Sequence, residues 1–150
     1  MKKLLLSILM IVLPVLASAY DACIDGIYYN FNGETASVTY YDEYNYGASD
    51  SGDVIVPESV TYDGKTYRVT SIGYCAFNEC RNLTYVDIPN SVTTIADWAF
   101  SDCSNLTSVN IPNNVNIIGD YAFKSCNKLI SVTIPNNVTS IGDYAFYGCI

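Results

Sequence analysis

Three stretches of this 150-residue chain are near copies of one another: LTYVDIPNSVTTIADWAFSDC at 83–103, LTSVNIPNNVNIIGDYAFKSC at 106–126 and LISVTIPNNVTSIGDYAFYGC at 129–149. They begin at Leu83, Leu106 and Leu129, a period of 23 residues. A fixed period of this length marks a chain that stacks one supersecondary unit upon the next. A unit this short encloses almost no interior, so its apolar face must be covered by a neighbour, which lines up equivalent side chains in columns. A weaker copy comes first, with Val54-Ile55-Val56-Pro57, then an inserted TYDGKTYR, then Val69 to Cys80. The copies therefore fall at 54–82 (degenerate), 83–105, 106–128 and 129–150.

Within a copy, Leu106, Val109 and Ile111 end in strict alternation, which predicts a short strand with Ser108 and Asn110 facing out. Pro112 ends it, because proline cannot donate to a continuing ladder, and Asn113-Asn114 suit a turn. Val115 to Ile118 predict a second extended segment. Asp120 stands where it would cap a helical turn over Tyr121, Ala122 and Phe123. Phe77, Phe100, Phe123 and Phe146 recur once per copy and predict the spine of a continuous core. The expected fold is thus an α/β repeat solenoid of short parallel strands and single-turn helices.

The part that does not repeat reads differently. Ile27 to Phe31, a turn near Asn32-Gly33, and Thr35 to Tyr41 form a hairpin pattern, and Asp63-Gly64 signals a second tight hairpin. An open solenoid end exposes strand edges, so residues 20–53 are expected to be an N-terminal β-hairpin cap followed by an acidic loop, DEYNYGASDSGD at 42–53. Ahead of them, MKKLLLSILMIVLPVLASA has two lysines, an apolar run of about 13 residues and a small-residue site, the pattern of a secretory signal peptide over 1–19 cleaved after Ala19. A span would need roughly 20 apolar residues.

Removing that segment takes away two of seven basic residues and none of fifteen acidic ones, moving the formal charge from −8 to −10. So acidic a chain repels phosphate backbones and anionic lipid, which argues against nucleic acid as a partner. Cys80, Cys103, Cys126 and Cys149 stand one repeat apart. At a strand spacing of ~4.8 Å their Cβ atoms would be too far apart for disulfides, which prefer ~3.5–4.5 Å, so they read as buried, reduced side chains. Cys23 and Cys75 lie off this ladder, and a bridge between them stays open.

Little in the chain suggests catalysis. There is no histidine, no glycine-rich phosphate loop and no C-x-x-C pair, and serines and threonines recur with the repeat instead of meeting a unique base. No cofactor is expected. Asp97, Asp120 and Asp143 could form a calcium-binding column, but one carboxylate per copy favours capping over ligation. Trp98, Tyr121 and Tyr144 form an aromatic column better suited to packing than to a glycan platform. Asn82, Asn105 and Asn137 begin N-x-[ST] sequences that the repeat itself accounts for.

The consensus L-x-x-V-x-I-P-x-x-V-x-x-I-G-D-x-A-F-x-x-C resembles the BspA-like (Treponema-type) leucine-rich repeats over residues 54–150, with Ala96 and Trp98 as mild departures. The N-terminal region is similar to that of exported Bacteroidota members. The resemblance implies a curved, right-handed solenoid on a bacterial surface or in secretions, adhesion in some relatives, and no catalytic motif.

What varies between copies is the outward strand face: Thr84, Tyr85 and Asp87, then Thr107, Ser108 and Asn110, then Ile130, Ser131 and Thr133. These are the candidate ligand-binding residues, for a host or bacterial surface protein or a glycan. The competing readings are a structural spacer or truncated fragment without a ligand, and an accessory domain of a larger surface enzyme. The chain stops where another copy would start, so an incomplete C-terminus is expected, with the Leu129, Val132, Ile134, Ile141 and Phe146 layer bare on one side and prone to self-association.

Overall fold

The computed structural model describes residues 20–41 and 52–149. The expected signal segment over 1–19 and nearly all of the expected acidic loop lie outside them.

Among the described residues eleven strands follow in order: β1 (Ala22–Ile24), β2 (Ile27–Asn32), β3 (Thr35–Thr39), β4 (Asp53–Ile55), β5 (Ser59–Tyr62), β6 (Lys65–Ile72), β7 (Tyr85–Asp87), β8 (Thr94–Ile95), β9 (Ser108–Asn110), β10 (Ile117–Ile118) and β11 (Ser140–Ile141). They make two sheets. One is a three-stranded parallel ladder, β4-β7-β9; the other runs β1-β2-β3-β6-β8-β10-β11, with β5 paired to β6. The repeat thus yields two parallel ladders, one from each extended segment of a coil.

The hairpins form where turn chemistry places them. Gly33 (φ 61°) joins β2 to β3, and Asp63 (φ 49°) with Gly64 (φ 72°) joins β5 to β6, the left-handed pair that a type I′ turn requires. β3 then lies parallel to β6, so the N-terminal strands extend the second ladder directly. β4, by contrast, has β7 on one side and, among the described residues, no strand on the other.

Between the ladders runs one core. Leu83 and Leu106, Ile72, Ile95 and Ile118, and Phe77, Phe100 and Phe123 are fully buried. The phenylalanine rings stack at centroid distances of 5.1, 5.1 and 5.2 Å with planes within 7° of parallel, because the coil repeat places one ring above the next.

The helical turns expected after each aspartate are absent: among the described residues there is no helix, so the α component of the expected class is corrected to strands and turns. The reason lies in the backbone. N–H groups alternate, one closing a turn within the coil, as from Ser101 to the Trp98 carbonyl (3.1 Å), the next reaching forward, as from Phe100 to the Ala122 carbonyl (2.7 Å). Trp98, Tyr121 and Tyr144, and likewise Glu79, Asp102 and Ser125, sit at φ between 56° and 59°. Left-handed residues spaced four apart preclude i→i+4 helical bonding. Three forward bonds cross each junction between successive turns.

Candidate recognition surface

The first ladder presents two rows of outward side chains. Asp53, Tyr85 and Ser108 are in register in one, Ile55, Asp87 and Asn110 in the other, while Val54, Val86 and Val109 between them point into the core. Four of the nine candidates, Tyr85, Asp87, Ser108 and Asn110, therefore share one face. Asp53 and Ile55 belong to it as well, and Ile55 is 72% exposed. They could have been found by aligning Val54-Ile55-Val56-Pro57 on Val86-Asp87-Ile88-Pro89.

Thr84 and Thr107 play another part. The Thr107 hydroxyl donates to the Thr84 carbonyl at 3.0 Å, and the Thr84 hydroxyl lies 2.5 Å from the Gly52 carbonyl and 2.6 Å from the Asp53 carboxylate, free to give its one hydrogen to either. These side chains tie a coil to the one before it. Ile130 occupies the same place in the third copy and has no hydroxyl to make that tie. There the expected strand does not form: Ser131 and Thr133 lie in irregular backbone beyond β9, and Ile130 is 82% exposed. Those three candidates do not join the face.

Columns of identical residues are mostly spent on the stack itself. The Asp97 carboxylate accepts the N–H of Asp120 (2.9 Å) and that of Asp120 accepts the N–H of Asp143 (2.7 Å), so the aspartates link successive coils and do not cap their own. Asn114 and Asn137 donate side-chain N–H groups to the Asn90 and Asn113 carbonyls (2.6 and 2.7 Å), and Asn105 does the same to Arg81 (2.6 Å). Cys103, Cys126 and Cys149 donate their thiols to the carbonyls of Phe77, Phe100 and Phe123 at 3.0–3.2 Å. Burial pushes the Cys103 and Cys126 thiols well above the ordinary cysteine range, which keeps them protonated as donors. No disulfide joins any of the six cysteines, Cys23 and Cys75 included.

Trp98, Tyr121 and Tyr144 stack on each other at 4.4 and 5.3 Å, with Lys124 Nζ 5.0 Å from the Trp98 ring centre. Rings stacked this way turn their faces to one another and their edges to solvent, whereas a sugar stacks on a face. Among the described residues, no three His, Cys, Asp or Glu side chains are placed to hold a metal ion.

Two parallel ladders, one buried aromatic column and a turn ladder repeating every 23 residues define the architecture, and the model of the BspA type leucine rich repeat region (6 copies) matches residues 58–150. The chain belongs to the BspA-type leucine-rich repeat family. Solved structures agree. A leucine-rich repeat protein from Bacteroides ovatus superposes with a TM-score of 0.64 at 37% identity, covering 85% of this chain and 38% of that one. A leucine rich cell surface protein from Faecalibacterium prausnitzii gives 0.69 at 30% identity, covering 83% and 33%. One from Bacteroides capillosus gives 0.67 at 32% identity, covering 80% and 96%. This BspA-type chain thus spans about a third of the length of the first two relatives. No curated protein sequence matches it. Among its described residues, no helix is long and apolar enough to cross a membrane.

Proposed function

We propose that this BspA-type chain is a noncatalytic recognition module, exported and held at or released from a bacterial surface, that binds a protein or glycan through the face of the β4-β7-β9 ladder. The observation that carries the reading is the contrast between that face and everything else. Asn, Asp, Cys and Thr side chains elsewhere in the repeat are committed to inter-coil hydrogen bonds. Tyr85, Asp87, Ser108 and Asn110 point outward from a backbone fixed by the ladder and differ from coil to coil. A rigid, flat array of short polar groups beside one tyrosine suits contact with another surface through many weak interactions, the aromatic side chain supplying an anchor. Export rests on the lysine-apolar-small pattern of residues 1–19, and the cell surface protein among the structural relatives accords with it.

The test compares wild type with a Tyr85→Ala, Asp87→Ala, Asn110→Ala triple variant on an immobilised mixture of extracellular-matrix proteins and on a glycan array. The variant should keep its circular dichroism and lose binding. Equal binding by the two, or none by the wild type on either support, rejects the face as the site.

A further inference from the structure

The N-terminal strands cover only one of the two ladders. β3 pairs with β6 and so continues the second sheet, while among the described residues β4 is the edge strand of the first. The parity of its hydrogen bonds fixes which groups are unused. Tyr85 N–H reaches back to the Gly52 carbonyl (3.2 Å) and Val56 N–H donates to the Asp87 carbonyl (3.0 Å), so the even-numbered residues face β7. In a parallel ladder the alternate residues face the other way. The N–H and C=O groups of Asp53 and Ile55 therefore point out from the open edge.

Beside that edge is a cavity of about 350 Å³ whose wall includes Ile24, Ile27 and Tyr29 from β1 and β2, Val54 from β4, and Val60 from β5. Asp25 and Asp53 also line it, and among the described residues no basic side chain does. The burial of Tyr29 and the charge of Asp25 both raise the tyrosine pKa, so its hydroxyl stays protonated.

We infer that the β4 edge and its cavity form a second binding site, which takes an extended peptide segment of a partner protein, with alternating apolar and basic side chains, by strand addition. Peptide backbone groups pair with those of Asp53 and Ile55. Apolar side chains enter the cavity over Val54, and basic ones lie near Asp25 and Asp53. Backbone pairing supplies affinity and the pocket supplies selectivity, the division of labour of strand-addition recognition. An acidic segment of this chain's own kind is disfavoured by like charge. The site adjoins the face proposed above and shares Asp53 and Ile55 with it, but it uses their backbone groups and the cavity and involves none of Tyr85, Asp87 and Asn110.

The test uses fluorescence anisotropy with labelled peptides of alternating valine and lysine, the same with glutamate for lysine, and the valine-lysine peptide N-methylated at alternate positions. The valine-lysine peptide should bind, weakening as salt rises. Charge reversal and N-methylation should each weaken binding by about tenfold or more. Ile55→Pro removes an N–H that β7 does not use, a placement edge strands tolerate, so the variant should fold and lose the peptide. Asp25→Asn with Asp53→Asn should flatten the salt dependence. Undetectable binding of the valine-lysine peptide overturns the proposal, as does equal binding of the glutamate or N-methylated peptide. The methylated peptide keeps the test decisive if Ile55→Pro fails to fold.

Discussion

Gly119 and Gly142 occupy the tightest points of the stack. A Cβ on Gly119 would come within 2.3 Å of Asp97 Oδ1 and 2.5 Å of the Asp97 nitrogen, and Gly142 meets Asp120 in the same way. The aspartate that reaches forward to the next coil and the glycine that makes room for it form a pair. At Ala96, the equivalent of Gly119 one copy earlier, the residue in the aspartate's repeat position is Tyr74, so no such carboxylate occurs. Gly119→Ala should cost roughly 1–3 kcal/mol, and because backbone is among the clashing atoms, adding Asp97→Ala should not restore the melting temperature. Cysteine gives a pH prediction with a definite sign. Thiols whose folded pKa is raised contribute stability that is complete below the unfolded value, about 8.5, and that is lost as pH rises above it. Melting temperature should therefore fall above that pH, and should fall less steeply in a Cys103→Ala, Cys126→Ala variant than in wild type. Ser91 is buried with no partner for its hydroxyl. Ser91→Ala should be neutral or stabilising by about 1 kcal/mol, as removal of an unsatisfied polar group predicts; a clear loss in chemical denaturation would show that the hydroxyl is bonded in solution.

The turn ladder is the element that the sequence conceals. Strands, hairpin turns and core columns were legible because alternation, Asp-Gly and a 23-residue period report them through side-chain type. Glu79, Asp102 and Ser125 take left-handed angles although nothing in their identity demands it. Stacking fixes that conformation through forward backbone bonds, and a local reading of Asp followed by Tyr-Ala-Phe naturally gives a capped helix instead. One copy does carry the signature: Gly148 (φ 78°) fills the position of Ser125. Ser125→Gly should then relieve steric strain and stabilise the fold by about 0.5–1 kcal/mol. A destabilisation in the same melt would mean that the side chain contributes more than the backbone loses. The recognition face was legible only where alternation and the ladder agree, at Tyr85, Asp87, Ser108 and Asn110. Thr84 and Thr107 stand one residue before Tyr85 and Ser108, on the opposite parity, and their hydroxyls are drawn into the stack.

Across the whole molecule, cohesion falls along the stack. Val86, Ile95 and Phe100 have coils on both sides and are fully buried, whereas Ile141 is 49% exposed and the 130–134 backbone has no ladder. Amides of Ser131 and Thr133 should exchange with solvent far faster than those of Val86 and Val109. The turn ladder also has a long-range consequence. In the strand ladders neighbouring peptide groups point in opposite senses, so their electric moments nearly cancel. In the turns all crossing N–H groups point one way, from Phe77 through Phe100 to Phe123, and head-to-tail amides sum into a macrodipole as in a helix. Its positive pole is the rim where Tyr144, Phe146 and Gly148 lie. A glutamate at exposed Tyr147 should therefore melt above a lysine there by an amount worth roughly 0.3–1 kcal/mol at low salt, shrinking as salt is added. Net charge alone, at −8, would rank the two variants the other way.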